Sequence, residues 1–386
     1  MIQRHLLPIL KQLSKQYPVI VITGPRQSGK TTIVKTAFPD ICYRNLEEPD
    51  TRQLAAADPR AFINSSPMVI DEIQNLPLLA SYIQSAVDAQ NKEGMYFLTG
   101  SRHFDLMNTV TQSLAGRAAI VKLLPFSMAE IDSAISPMAL DDLFLRGFYP
   151  RIYDKNLDPS GYYSNYYETY LQRDLQQFIS VRDLMGFQKF VQLCSGRIGG
   201  LFSASGIAND TGISVPTVNS WLSLLNAAYI AFLLPPYHAN ITKRLVKSPK
   251  LYFHDVGLAS FLLGLRNTAQ LERDPLRGMV FENLVISECV KHLYNTNQQR
   301  DVWFYRDSHG NEVDLLVQDG RNLIPVEIKV SSTFHPDFLK GIKSVRALFP
   351  RKIDVAYVVY SGETESEVDG VRLINYRHIP GIFSDR

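Results

Sequence analysis

The sequence predicts an α/β protein. A parallel-sheet domain built around a phosphate-binding loop comes first, then a helical and winged-helix region, then a C-terminal α/β domain. Three observations carry this expectation. The first 125 residues alternate short apolar runs with helical patterns. An unbroken GxxxxGK[ST] follows the first of those runs. Near the C-terminus, two apolar strand patterns carry acids on one face. The length of 386 residues agrees, since roughly 150 residues per domain gives two to three domains.

The candidate strands of the first block are Val19–Thr23, Cys42–Leu46, Met68–Asp71, Tyr96–Gly100 and Ala119–Leu123, bounded by Gly and Pro and separated by periodic segments. Ahead of them, apolar residues alternate with Lys11, Gln12, Lys15 and Gln16, which reads as an amphipathic helix and not as a signal peptide. Residues 136–186 read as a helical lid with seven tyrosines between Tyr149 and Tyr170. Buried, hydroxyl-satisfied aromatics fit this stretch better than a base-stacking surface does. Within 187–265, Phe202–Asn209 and Val215–Ala227 form two short helical patterns around a Gly212 turn with a Ser214 cap. The runs Tyr229–Pro236 and Lys250–His254 supply a β-wing. From 266 onward a long helix (Met279–Tyr294) precedes two strands joined at Asp319-Gly320.

Composition narrows the class. Forty basic and 38 acidic side chains give a net charge of +2, which excludes a globally basic tail and an acidic solvating protein. With 45% hydrophobic and 20% charged residues the chain is ordinary for packed domains. Cys42, Cys194 and Cys289 form no CxxC pair, so neither a disulfide framework nor a thiolate zinc site is expected. No apolar run approaches the ~18 residues of a membrane span. A cytoplasmic protein without membrane partners is the expectation.

Gly24-Pro25-Arg26-Gln27-Ser28-Gly29-Lys30-Thr31 sits between a strand and a helical pattern, as a P-loop must. Its glycines let main-chain amides wrap an anion at the positive end of a helix. Together with Thr32, these residues are the expected nucleotide contacts. Lys30 reaches the terminal phosphates, and Thr31 ligates Mg²⁺. The run Met68-Val69-Ile70-Asp71-Glu72 then ends a strand in two acids. Asp71 is the expected Mg²⁺ partner and Glu72 the base for the lytic water, which argues for hydrolysis and against a small-molecule kinase. Ser101, with Thr99 as competitor, is positioned to orient that water. Arg117, directly before the last strand, reads either as a finger for a neighbouring subunit's γ-phosphate or as a solvated strand-start arginine.

With these residues the chain resembles the AAA+ superfamily, specifically archaeal and bacterial ATPases that end in a domain of unknown function. The carriers are Gly24–Thr31, Asp71-Glu72-Ile73-Gln74, Leu98–Ser101 and Leu114–Arg117. Later ones are Tyr252–Leu258, Phe281-Glu282-Asn283, Glu312-Val313-Asp314 and Glu327-Ile328-Lys329. The resemblance implies an AAA+ core (1–135), a winged helix (187–265) and a restriction-endonuclease-like domain (266–386), with the helical lid (136–186) read from the residues between the first two. It also implies assembly into a homo-oligomer. No second-sensor arginine is evident; Arg173 is the nearest guess.

Strand geometry supplies a second constellation. A two-residue turn at Asp319-Gly320 pairs positions summing to 639, which sets Asp314 diagonal to Glu327, about 7–8 Å away on one face. Val313, Leu315 and Val317 share the other face. Pro325 lacks a ladder donor and favours an edge strand or a bulge. An acid, an apolar strand and acid-x-lysine is the order of the restriction-endonuclease signature. In that reading Asp314 and Glu327 bind Mg²⁺, Lys329 positions water, and Glu282 resembles the extra acid of some such enzymes. An active nuclease, an inactive nuclease-like binding module and an ordinary charged hairpin all remain open.

In the helix-turn-helix, Ser214, Thr217, Asn219 and Ser220 could enter a DNA groove, and Lys243, Arg244, Lys247 and Lys250 form an acid-free strip for phosphates. The helix itself carries no Lys or Arg, so a purely structural role stays open. The expected function is an ATP- and Mg²⁺-dependent ATPase coupled to a DNA-binding, nuclease-like domain. The alternative is a nucleotide-dependent switch or scaffold whose nuclease fold is inactive and whose partner is a protein.

Overall fold

The computed structural model describes residues 2–100, 113–174, 183–237, 248–298 and 300–384. Five parallel strands form the N-terminal sheet: β1 (Val19–Thr23), β2 (Cys42–Asn45), β3 (Met68–Asp71), β4 (Tyr96–Gly100) and β5 (Ala118–Lys122), in the order β2-β3-β4-β1-β5. Each lies within one residue of its apolar run. The interior strand β1 is buried at every position: Val19 and Val21 pack into one layer, Ile20 and Ile22 into the other. Such two-sided burial is why the strand reads as an unbroken apolar run.

The tyrosine-rich stretch folds into the helices Leu140–Arg146, Pro150–Asp154 and Pro159–Tyr166. Tyr149, Tyr162, Tyr163, Tyr166 and Tyr170 are all buried, and their rings interlock. They are core, and no stacking surface is presented there. Asp255 locks this layer to the helix Val256–Leu262. Its carboxylate caps that helix through Leu258 N (2.8 Å) and accepts Phe148 N (2.7 Å) and the Tyr163 hydroxyl (2.7 Å).

The helices Ala204–Thr211 and Val215–Ala227 meet at Gly212, and β6 (Ala231–Leu234) pairs antiparallel with β7 (Lys250–Phe253). A single apolar core runs from Leu124 through these helices into the C-terminal sheet, so packing is continuous across residues 186 and 265.

After the long helix Arg277–Asn295, six strands make the C-terminal sheet: β8 (Val302–Arg306), β9 (Glu312–Asp319), β10 (Asn322–Lys329), β11 (Tyr357–Tyr360), β12 (Ser366–Val368) and β13 (Val371–Asn375). Their order is β12-β13-β11-β10-β9-β8. Three expectations change here. The β9–β10 turn is Gly320-Arg321, because Asp319 pairs with Asn322 and Val326 with Leu315. Pairs therefore sum to 641, not 639. A slip of two leaves every side chain on its face, but it aligns Asp314 with Glu327 instead of setting them diagonal. Second, the β8 register shifts between Trp303 and Tyr305: Trp303 meets Leu316 while Tyr305 meets Val313. Two residues, Asp314 and Leu315, thus face one, and the bulge turns Val313 away from Leu315 and Val317 into a different cluster. Third, β10 is an interior strand. Pro325 is tolerated because the β11 ladder begins only at Val326.

Replacing Asp255 with Ala would orphan two buried amides at about 1–3 kcal/mol each. We expect Asp255→Ala to lower the urea midpoint of the first unfolding transition; an unchanged midpoint would contradict the locking role.

Candidate functional site

The phosphate loop is shaped by backbone requirements. Gly24, at φ 153°, lies so near the end of β5 that a Cβ there would collide with the Leu123 carbonyl oxygen, and Gly29 takes φ 91° before the helix Lys30–Ala37. Lys30 is buried, and its Nζ donates to the Gly24 (3.1 Å) and Pro25 (2.8 Å) carbonyls. Burial pushes its pKa down to about 8 against the attraction of Glu72 and Asp71. No carboxylate forms an ion pair with it among the described residues. The Ser28 hydroxyl beside it is buried without a hydrogen-bond partner there. An ammonium held only by loop carbonyls, next to an unsatisfied hydroxyl, fits an incoming phosphate.

Asp71, at the end of β3, gathers three hydroxyls. Its Oδ2 accepts Thr31 (2.7 Å) and Tyr43 (2.7 Å), and its Oδ1 accepts Thr99. Hard oxygen donors so arranged suit Mg²⁺. The neighbouring Glu72 takes a left-handed backbone (φ 55°) and accepts the Gln74 amide. Thr99 therefore holds the acid, whereas Ser101 lies outside the described residues.

Several contacts come from far along the chain. Arg4 donates to the Ser28 carbonyl (2.9 Å), the Leu124 carbonyl (2.6 Å) and Glu130 Oε1 (3.2 Å). Tyr162 donates to Gln27 Oε1 (2.9 Å), so the helical layer grips the loop. A cavity of about 330 Å³ opens beside Gly29 and Thr32, walled by Ile2, Leu7, Ile33 and Phe126. Sequence reasoning missed Arg4, Tyr43 and Tyr162, and named Gln74 only as part of the run that carries the resemblance. Only the tyrosine density gave a signal, and it named no partner.

Arg117 stands elsewhere. It precedes Ala118, which pairs with Val19, whereas the loop leaves the opposite end of β1 after Thr23. There it forms a two-pronged ion pair with Asp88 (2.6 and 2.9 Å). It is no part of this chain's own loop site.

At the C-terminal sheet the β9–β10 pairing brings Asp314, Glu327 and Lys329 together. Ile328 N donates to Asp314 Oδ2 (2.8 Å), and Lys329 Nζ lies 2.6 Å from Glu327 Oε1 and 3.7 Å from Asp314 Oδ2. Lys250, expected in an exposed phosphate strip, is instead buried here. Its Nζ lies 3.0 Å from Glu282, 2.5 Å from Glu312 and 3.9 Å from Asp314. The rest of that strip, Lys243, Arg244 and Lys247, lies outside the described residues, as does the Arg173 side chain. Two ammonium groups thus stand among four acids, and among the described residues no three acids, histidines or cysteines take up a metal-holding arrangement. The expected set of Asp314, Glu327 and Glu282 is gathered but bridged by lysine. Burial, then the charge of Asp314, pushes Glu282 up to about 7 and Glu327 up to about 8. The Glu327 Oε2 is buried without a partner among the described residues. In the helix-turn-helix, Ser214, Asn219 and Ser220 are exposed, while Ser214 also caps Thr217 N (3.2 Å).

Three family models match consecutive segments: an AAA domain over residues 16–132, the domain of unknown function DUF8612 over 138–269 and the domain of unknown function DUF4143 over 277–379. The chain is 31% identical over 362 residues to the uncharacterized protein Rv2008c of Mycobacterium tuberculosis, spanning 92% of this chain and 79% of that one. It belongs to that protein's family. The uncharacterized protein Mb2031c of Mycobacterium bovis is related by the same identity and coverage. In shape the chain is similar to the Walker-type ATPase PABY2304 of Pyrococcus abyssi, at 12% identity and a TM-score of 0.48 over 68% of this chain and 96% of that one. The first third of this family member is thus a P-loop domain of the AAA type, and the C-terminal sheet is α/β. No helix among the described residues is long and apolar enough to cross a membrane.

Both sites should respond to pH. Lys30 is charged below about pH 8, so triphosphate affinity should fall as pH rises through that value. Lys30→Ala should bind far more weakly and lose the slope; fluorescence titration of a labelled nucleotide reads both. The raised pKa of Glu327 means that the folded chain holds a proton that the unfolded chain has released between about pH 4.5 and 8. Stability contributed there is lost as pH rises through the window. Glu327→Gln should flatten that decline in urea-midpoint measurements, and an unaltered slope would contradict the assignment.

Proposed function

We propose that the chain is a Mg²⁺-dependent ATPase whose turnover is coupled to a nuclease-like, DNA-directed C-terminal domain. The observation that carries the first half is the Thr31–Asp71 contact of 2.7 Å beside a buried Lys30 whose hydrogen-bond partners, among the described residues, are loop carbonyls. Loop amides and Lys30 would hold the triphosphate, with the base in the apolar cavity walled by Ile33 and Phe126. Thr31 and Asp71 would hold Mg²⁺, which when bound neutralises phosphate charge. Glu72, oriented by Gln74, would take the proton of the attacking water, and Thr99 keeps Asp71 in place. In a homo-oligomer, a neighbour's Arg117 would have to exchange Asp88 for the γ-phosphate to serve as a finger. We divide the chain into the ATPase domain (1–135), the helical lid (136–186), a winged helix (187–265) and a restriction-endonuclease-like domain (266–386).

For the second half, the β9–β10 register supports the reading, because it sets Asp314 on the level of Glu327 and within reach of Lys329. Asp314 and Glu327 would hold the divalent ion of cleavage, Glu282 would assist, and Lys329 would place the water. Ser214, Thr217, Asn219 and Ser220, with Lys243, Arg244 and Lys247, would meet DNA. One observation favours the alternative of a nucleotide-dependent switch with an inactive nuclease fold: Lys250 already supplies a cation to Glu282, Glu312 and Asp314.

Glu72→Gln should keep nucleotide binding and lose phosphate release; unchanged turnover would remove Glu72 as base. Plasmid incubation with Mn²⁺ separates the two C-terminal readings. Cleavage by wild type but not by Asp314→Ala, with both retaining ATPase activity, supports the nuclease. No cleavage of any DNA form leaves the switch.

A further inference from the structure

A second cavity, of about 360 Å³, is bordered by Lys122, which pairs with Thr23 at the strand end that delivers the phosphate loop. Its walls come from three parts of the chain: Lys122 at the end of β5, Tyr229, Phe232 and His254 from the β6–β7 region, and Val290 and Tyr294 from the helix Arg277–Asn295. The volume falls within the range of small-molecule sites, and its wall mixes apolar side chains with Lys122, His254 and two tyrosines.

Its charge is one-sided. Among the described residues no acid lines the cavity. Lys122 forms no ion pair among them; its Nζ rests 3.5 Å from the Tyr294 hydroxyl and 4.7 Å above that ring. His254 is 3% exposed, and its Nδ1 is buried without a hydrogen-bond partner among the described residues. Burial, then the nearby Lys291 and Lys122, keeps this imidazole neutral, with its pKa pushed down to about 3. A neutral ring can still donate one hydrogen bond to an anion. Phe232 lies 4.5 Å from the His254 ring, centroid to centroid, so the wall that holds the imidazole also offers an aromatic face.

We propose that this cavity binds a small planar anion, an aromatic carboxylate or a pyrimidine nucleotide, with its charge on Lys122 and its ring against Phe232 and Tyr294. Such an occupant would touch the nucleotide machinery from behind. Thr23, the last residue before Gly24, pairs with Lys122 in the sheet and hydrogen-bonds Tyr229. This inference stands apart from the ATPase reading, since it asks only for binding.

Calorimetry on the full chain without magnesium, using benzoate, uridine 5′-monophosphate and inorganic phosphate, tests it. At least one ring-bearing probe should bind, at least tenfold more tightly than phosphate. Lys122→Met should weaken that binding tenfold or more, while Lys30→Ala, which disables only the loop, leaves it unchanged. The benzoate and nucleotide arms tell the two ligand sources apart. Circular dichroism of Lys122→Met matching wild type excludes misfolding, and this half-buried side chain has no ion pair among the described residues to lose. No uptake of either ring-bearing probe, equal binding by Lys122→Met, phosphate binding as well as the rings, or loss of binding in Lys30→Ala would each overturn the proposal.

Discussion

The Thr31–Asp71 hydrogen bond ties the helix after the phosphate loop to the C-terminal end of β3, which β4 separates from β1, and much of the N-terminal architecture exists to make it possible. β1, β4 and β3 run parallel in matched register, Val19 with Tyr96 and Tyr96 with Met68, so their C-terminal ends arrive at one level. Only then can Thr31, Thr99 and Asp71 meet. Parallel strands need crossover helices on both faces, and those helices bury the strands from both sides. The polar cluster is therefore a consequence of an apolar one.

From that cluster the connections lead outward. Tyr162 reaches Gln27 from the helical layer; its neighbour Tyr163 donates to Asp255, and Asp255 caps the helix after β7. β7 in turn carries Lys250, whose ammonium lies among the acids of the C-terminal sheet. A nucleotide that moved Gln27 would press on a path of direct contacts that joins the loop to the later segments, and those segments share one apolar core.

Much of this was legible in the sequence, and the reason is locality. Val19–Thr23, Met68–Asp71 and Tyr96–Gly100 are set by runs of neighbouring apolar residues, and the loop motif specifies its own backbone. What escaped was nonlocal. Arg4 meets Glu130 across 126 positions, and no periodicity links them. The β9–β10 turn moved by one residue and the pairing by two, because Asp319-Gly320 offers a good local turn while tertiary pairing selects Gly320-Arg321. The bulge at Asp314 breaks an alternation that a period of two must assume. Lys250 reads as solvent-facing from its basic neighbours; its burial depends on Glu282 and Glu312, which lie 32 and 62 positions further on. Local patterns give elements, whereas the partners of charged groups come from the fold.

The central claim is that the loop is a working triphosphate cradle. Titrating the full chain with ATP in the presence of magnesium, followed by calorimetry, tests it most directly. The account predicts saturable uptake of one ATP per chain. The absence of any heat of binding, for adenine and guanine triphosphates alike, would contradict it.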